Sequence, residues 1–255
     1  MGEHKTKKAK KNVKNHSYVI AAVVLVMALL ILVMVNANRG GETTSSKPGT
    51  IQTTEKANVT QKTDETKAFE TMDLGNGVQI TGLISYTGAF MEDRTDEVVA
   101  DVLGIQVTNS GTEYIQTMDI SLTNGDTQAQ FTLSTLFPGE TMIVLEKNRM
   151  AYSDSLEFQS AQTSAVAVFQ DQPSLCEDKL KIQCLNGVIN VTNISGEDIP
   201  GDILIYYKNY VSGIYYGGIT YRIRLEGGIK AGEIKQGTAA HFNPNNSTVV
   251  FVTCG

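Results

Sequence analysis

Two patterns of apolar spacing divide the chain. From Tyr18 to Val35, "YVIAAVVLVMALLILVMV" carries no charged residue and no polar face. After residue 40 no stretch sustains a long helical apolar period, and short runs alternate apolar and polar residues instead. The clearest is "ITYRIRLE", where Ile219, Tyr221, Ile223 and Leu225 share one face and Thr220, Arg222, Arg224 and Glu226 take the other. "MDISLT" sets Met118, Ile120 and Leu122 against Asp119, Ser121 and Thr123 in the same way. Turn residues separate such runs roughly every 8–12 positions, the spacing of a β-sandwich. The pattern predicts an all-β fold beyond an N-terminal membrane helix.

The β-rich region says one phrase twice. "IQVTNSGTEYI" (Ile105–Ile115) is matched by "INVTNISGEDI" (Ile189–Ile199). In each copy Val-Thr-Asn ends a strand, Ser and Gly make the turn, and an isoleucine opens the approach to the next strand. Asn and Gly suit the positive-φ positions such turns need. A Gly-Glu step follows in both, at Gly139-Glu140 and Gly232-Glu233, with nine more residues intervening in the second copy. The strand runs before and after keep the same order. Two tandem β-sandwich units are therefore expected, over residues 72–170 and 174–255. Pro173 in "QDQPS" (Gln170–Ser174) breaks any strand continuing between them.

These residues carry a resemblance. "VTN-SG", an alternating strand, a Gly-bearing hairpin and then "PGE" or "AGE" resemble the small Ig-like sandwich modules of bacterial exported proteins, in particular the FxLYD-type domain. Its aromatic strand running into a turn is echoed by "ILIYYKNYVSG" (Ile203–Gly213) and faintly by "ISLTNGD" (Ile120–Asp126). The signature's Phe and Asp are absent; Ile205 and Lys208-Asn209 stand in that region. The resemblance implies an Ig-like fold and no general enzymatic activity.

The apolar run of Tyr18–Val35 reaches about 27 Å as a helix, close to the hydrocarbon thickness of roughly 30 Å. Residues 1–17 hold six lysines against one acid, Glu3, while only Arg39 and Lys47 stand close behind the run. Positive-inside orientation then places residues 1–17 in the cytoplasm, a single-pass anchor over 18–36 in the lipid bilayer, and the remainder outside. The rival is a cleaved signal peptide, for which Val35-Asn36-Ala37 has the small-x-small look; both readings export the β-rich part. Residues 37–71, dominated to Lys67 by Thr, Ser, Lys, Glu and Gly, read as a disordered linker, because they offer too little apolar surface to offset ordering entropy.

Charge narrows the partners. Beyond Ala37 there remain 15 Lys+Arg (21 less the six lysines) against 26 Asp+Glu (27 less Glu3), a net of −11. Nucleic acid, which needs a basic stripe, is not expected. An envelope protein or wall polymer is the partner expected for an exported module on a stalk.

Candidate chemistry is sparse. Only His241 follows the apolar run, and it sits in a loop beside Asn243-Pro244. The acidic group Glu92, Asp93, Asp96, Glu97 and Asp101 lacks the alternating ligand pattern of a calcium loop and reads as solvated. No catalytic residue, metal ligand or cofactor is assigned, and the protein is expected to be non-enzymatic. Three cysteines, Cys176, Cys184 and Cys254, fall in the second unit. The favoured disulfide joins Cys184 to Cys254, since first and last strands are often neighbours in a sandwich. Cys176–Cys254, Cys176–Cys184 and a fully reduced set stay open.

Six of the ten tyrosines lie between residues 206 and 221. Tyr206, Tyr207, Tyr210, Tyr215 and Tyr216 are the candidate contact surface, because tyrosine offers large amphipathic area at modest entropic cost. The competing reading makes them cross-strand packing pairs. One member each of the adjacent pairs Tyr206-Tyr207 and Tyr215-Tyr216 is expected to face outward. The function expected is a membrane-anchored extracytoplasmic binding or assembly protein of the cell envelope. The alternatives are a wall glycan or peptide hydrolase, and a secretion or signalling component acting through its membrane-proximal segment.

Overall fold

Alternation places the strands well. A computed structural model describes residues 69–185 and 187–254, so the basic segment, the anchor and most of the linker lie outside the described residues. The described residues are all-β, in several sheets. The strands are β1 (Met72–Gly75), β2 (Val78–Ala89), β3 (Val98–Asn109), β4 (Ile115–Asn124), β5 (Thr127–Leu136), β6 (Thr141–Leu145) and β7 (Ser160–Val168) in the first half. The second half holds β8 (Leu180–Leu185), β9 (Val188–Asn193), β10 (Ile203–Val211), β11 (Ile214–Leu225), β12 (Ile234–Gly237) and β13 (Ser247–Cys254). Met118, Ile120 and Leu122 are buried on β4, as are Tyr221, Ile223 and Leu225 on β11, while Arg222 and Arg224 stay exposed.

The repeated phrase is a repeated topology. In the first half β2, β3 and β6 are neighbours in one sheet and β5-β4-β7 form another. In the second half β12-β9-β8 form one sheet and β11-β10-β13 are neighbours in another. Each strand from β2 to β7 thus has its counterpart six strands later. Apolar side chains from both layers of each half meet in its core: Ile80, Leu103 and Val144 against Met118, Phe131 and Leu133, and Ile189 and Val191 against Ile203, Ile205 and Ile223.

The asparagine of Val-Thr-Asn explains why the phrase is kept. Asn109 is buried, and its Nδ2 donates to the carbonyls of Glu113 (2.8 Å) and Leu136 (3.1 Å) while its Oδ1 accepts from Gly111 N (3.0 Å). Asn193 repeats this with Glu197 O (2.6 Å), Ile229 O (3.1 Å) and Ser195 N (3.0 Å). Each backbone also pairs with the later Gly-Glu step, Asn109 N to Glu140 O and Gly139 N to Asn109 O, then Asn193 N to Glu233 O and Gly232 N to Asn193 O. The glutamates close the same turn, accepting from Phe137 N and Lys230 N at 2.8 Å. Two phrases distant in sequence are thereby one polar clamp per half. Replacing Asn193 or Asn109 by alanine removes two donated bonds and the side-chain acceptor of one backbone amide, and is expected to cost roughly 2–3 kcal/mol. Urea unfolding of the compact unit Ala57–Gly255 checks this, an unchanged midpoint being the contrary result.

The halves share a sheet. β6 pairs with β11 in parallel, Met142 opposite Tyr215 and Ile143 opposite Tyr216. One seven-stranded sheet therefore runs β1-β2-β3-β6-β11-β10-β13. The sequence placed a joint at Gln170–Ser174 and gave no sign of this second one. A third apolar cluster, Tyr86, Phe90, Met91, Val102, Ile143 and Leu145 with Ile214 and Tyr216 against it, covers the other face of that sheet.

Candidate functional site

The β10–β11 hairpin carries the tyrosines and builds the junction. Ser212 (φ 52°) and Gly213 (φ 91°) turn it, both in the left-handed region that a two-residue hairpin loop requires. Pairing runs Val211–Ile214, Tyr210–Tyr215 and Asn209–Tyr216, then resumes at Tyr207–Tyr221. Between those pairs β10 has only Lys208, while β11 has Gly217-Gly218-Ile219-Thr220. The extra backbone bulges against β5, and Lys208 Nζ lies among its acceptors. It donates to Ser134 O (2.8 Å), Ile219 O (3.0 Å), Thr220 Oγ1 (3.3 Å) and Gly218 O (3.4 Å). Lys208 is fully buried, and burial pulls its ammonium down to about 7 against the partial support of Glu92 and Glu140.

Glu92 reaches the same place from the β2–β3 loop. Its carboxylate accepts from Gly218 N (2.9 and 3.0 Å) and Leu145 N (2.9 Å), joining β11 to β6. Burial raises its pKa, opposed by those amides and by Lys208. The rest of that loop also works across the molecule. Asp93 and Glu97 hold Arg149, whose guanidinium lies 4.7 Å over the Phe90 ring, and Asp96 Oδ2 meets His241 Nδ1 at 2.7 Å. The acidic group read from sequence as solvated is so for its exposed members, but Glu92 corrects that reading. His241 is likewise held, stacked on Tyr221 with ring centroids 4.9 Å apart.

The five candidate tyrosines divide by burial. Tyr207 packs in the second core against Tyr221 and Phe242, with burial pushing its phenol up to about 12. Tyr215 enters the first core, crossing between halves, and donates its hydroxyl to Glu140 Oε1 at 2.9 Å. Burial and that carboxylate raise its pKa. Tyr216 is half-buried against the third cluster. Tyr206 is half-buried and stacks on Phe251 at 4.1 Å. That pair ends a run of rings, Tyr114, Phe137, Phe169 and Phe251, joined at 5.2, 6.0 and 5.3 Å across the halves. Each adjacent pair thus sends one ring, Tyr207 or Tyr215, into a core, while its neighbour, Tyr206 or Tyr216, is half-buried rather than free in solvent. Tyr210 alone of the five is exposed, at 40%, and leans on Tyr215 with centroids 4.9 Å apart.

No family model, curated protein or solved structure matches the chain. Its chemistry is therefore read from its own geometry.

All three cysteines are free, and the expected pair is not brought together. β8 and β13 lie in different sheets, so Cys184 and Cys254 are not on neighbouring strands. Cys254 has Cys176 as its neighbour instead, the sulfurs 2.9 Å apart, and Cys184 is exposed on β8. Grooves mark the surface of the described residues. One of about 380 Å³ is lined by Asp202, Leu204, Arg222, Arg224, Thr253 and Cys254, with Arg224 paired to Asp202. Another, about 610 Å³, has an apolar floor including Met72, Leu83 and Phe158 and a rim with Glu70, Asp154 and Glu157.

Proposed function

We propose that this chain is a single-pass, membrane-anchored binding or assembly protein of the cell envelope. Two Ig-like sandwich modules stand outside the bilayer on the 37–71 linker, and the tip of the β10–β11 hairpin meets an envelope protein or wall polymer. The observation that carries this is Tyr210, a large exposed ring at the end of a hairpin whose root is fixed in both halves. A ring held in place before contact loses little freedom on binding, so its buried area converts efficiently into affinity. The burial pattern makes Tyr210 the informative position. Tyr215 and Tyr216 also hold the junction, and substituting them would confuse packing with binding.

The test immobilises Ala57–Gly255 and exposes it to solubilised envelope proteins and wall polymer from its own cells. Tyr210→Ser is expected to weaken retention of the bound species at least about tenfold, the loss of one interface anchor. Its unfolding free energy is expected to move by less than about 0.5 kcal/mol. Equal retention by Tyr210→Ser would remove the hairpin tip as the contact surface.

A further inference from the structure

We propose that Cys176 and Cys254 form a disulfide that ties the last strand to the segment between the two halves, leaving Cys184 as a free thiol. The sulfurs lie 2.9 Å apart at the margin of the second core, both residues half-buried. The backbone holds them there independently of any bond. Val252 N donates to Ser174 O at 2.8 Å, laying the connecting segment along β13, and Ser174 Oγ accepts from Cys176 N at 3.3 Å. Cys176 itself has φ 53°, a left-handed conformation that glycine or asparagine adopts more readily. In that conformation its sulfur meets Cys254 Sγ. Cys184 stands apart, opposite Ile189 on β9 in the other sheet.

The chemistry is thiol–disulfide exchange with a disulfide-bearing oxidant, a class found where exported proteins fold. One cysteine thiolate attacks the oxidant's S–S bond, forming a mixed disulfide and expelling one oxidant sulfur. The second thiolate attacks the protein sulfur of that mixed disulfide, forming Cys176–Cys254 and expelling the other. Two electrons pass to the oxidant, and the two thiol protons end on its released sulfurs. The bond spans a separation of 78 residues and encloses β8 to β13. It ties the connecting segment to β13, the terminal strand of the seven-stranded sheet.

The full chain in membranes, equilibrated with oxidised glutathione, is denatured and alkylated, then digested and mapped by mass spectrometry. The expected count is one alkylated thiol, at Cys184, rising to three after reduction. A Cys176–Cys254 peptide pair should vanish on reduction and persist in Cys184→Ser. Cys176→Ser should return the count to two by freeing Cys254 alongside Cys184. Three alkylated thiols in the unreduced wild type, or a linkage through Cys184, would overturn the proposal.

Discussion

Gly218→Ala is expected to lower the unfolding free energy of Ala57–Gly255 by roughly 2–4 kcal/mol, among the largest effects of any single-methyl change in the protein. A Cβ there would overlap the Thr132 carbonyl oxygen and come within 2.8 Å of Val144 Cγ1. The Thr132 carbonyl is backbone on β5 and cannot swing aside, so β11 must retreat. Retreat pulls Gly218 N off Glu92 and the Gly218 carbonyl off Ser134 Oγ (2.9 Å), loosening both halves at once. Gly213→Ala is the matched control. It has φ 91° but nothing within 4 Å, so it carries backbone strain alone, about 1 kcal/mol. Urea midpoints decide: equal losses in the two variants would mean that the close approach at Gly218 carries no weight.

Lys208→Met is expected to destabilise by roughly 3–5 kcal/mol, because it takes the Nζ donor from the Ser134 and Ile219 carbonyls inside the junction and, near neutral pH, the ammonium's support from the inward-turned Glu92 carboxylate. Lys208→Met with Glu92→Gln should recover part of that loss. A pH signature separates this from simple repacking. The lysine's pKa is about 7 in the folded protein against about 10.5 unfolded, so over that interval the unfolded chain binds more protons. Stability linked to Lys208 is therefore present above the unfolded value and lost as pH falls through about 7. Wild type minus Lys208→Met should show a difference that grows from pH 7 upward; a difference independent of pH would mean that Lys208 is not held as an ammonium at a cost. Cys254 and the buried tyrosines have raised values and work the opposite way at higher pH, which is why the difference rather than the raw curve is read.

Much of this fold was legible in the chain. Period-two alternation located β4 and β11, and the doubled Val-Thr-Asn announced a doubled topology, because both are local consequences of side-chain direction and turn chemistry. The clamp behind that phrase was not legible, since Asn193 meets Ile229 O and Glu233 O, partners 36 and 40 residues on. The junction was hidden for the same reason more strongly: Glu92 and Gly218 are 126 residues apart, and nothing in "FMEDRTDE" distinguishes the carboxylate that turns inward. A lysine inside "YYKNY" and two adjacent glycines were the available signals. A buried charged residue beside a core tyrosine has to find acceptors, and a glycine pair in a strand marks a close approach. The tyrosine cluster was visible, but its division between packing and surface depended on the third apolar cluster, formed by elements from both halves. The premise that Cys184 and Cys254 sit on neighbouring strands did not hold, because neighbouring first and last strands is a habit of single sandwiches, and here β8 and β13 fall in separate sheets.

That the two halves fold as one body through the β6–β11 joint is tested most directly by amide hydrogen exchange on Ala57–Gly255 across a urea series. Peptides from β2 to β6 and from β9 to β13 are expected to lose protection at one common midpoint, and Gly218→Ala should lower both together. Loss of protection in the second half while the first stays intact would contradict the joint.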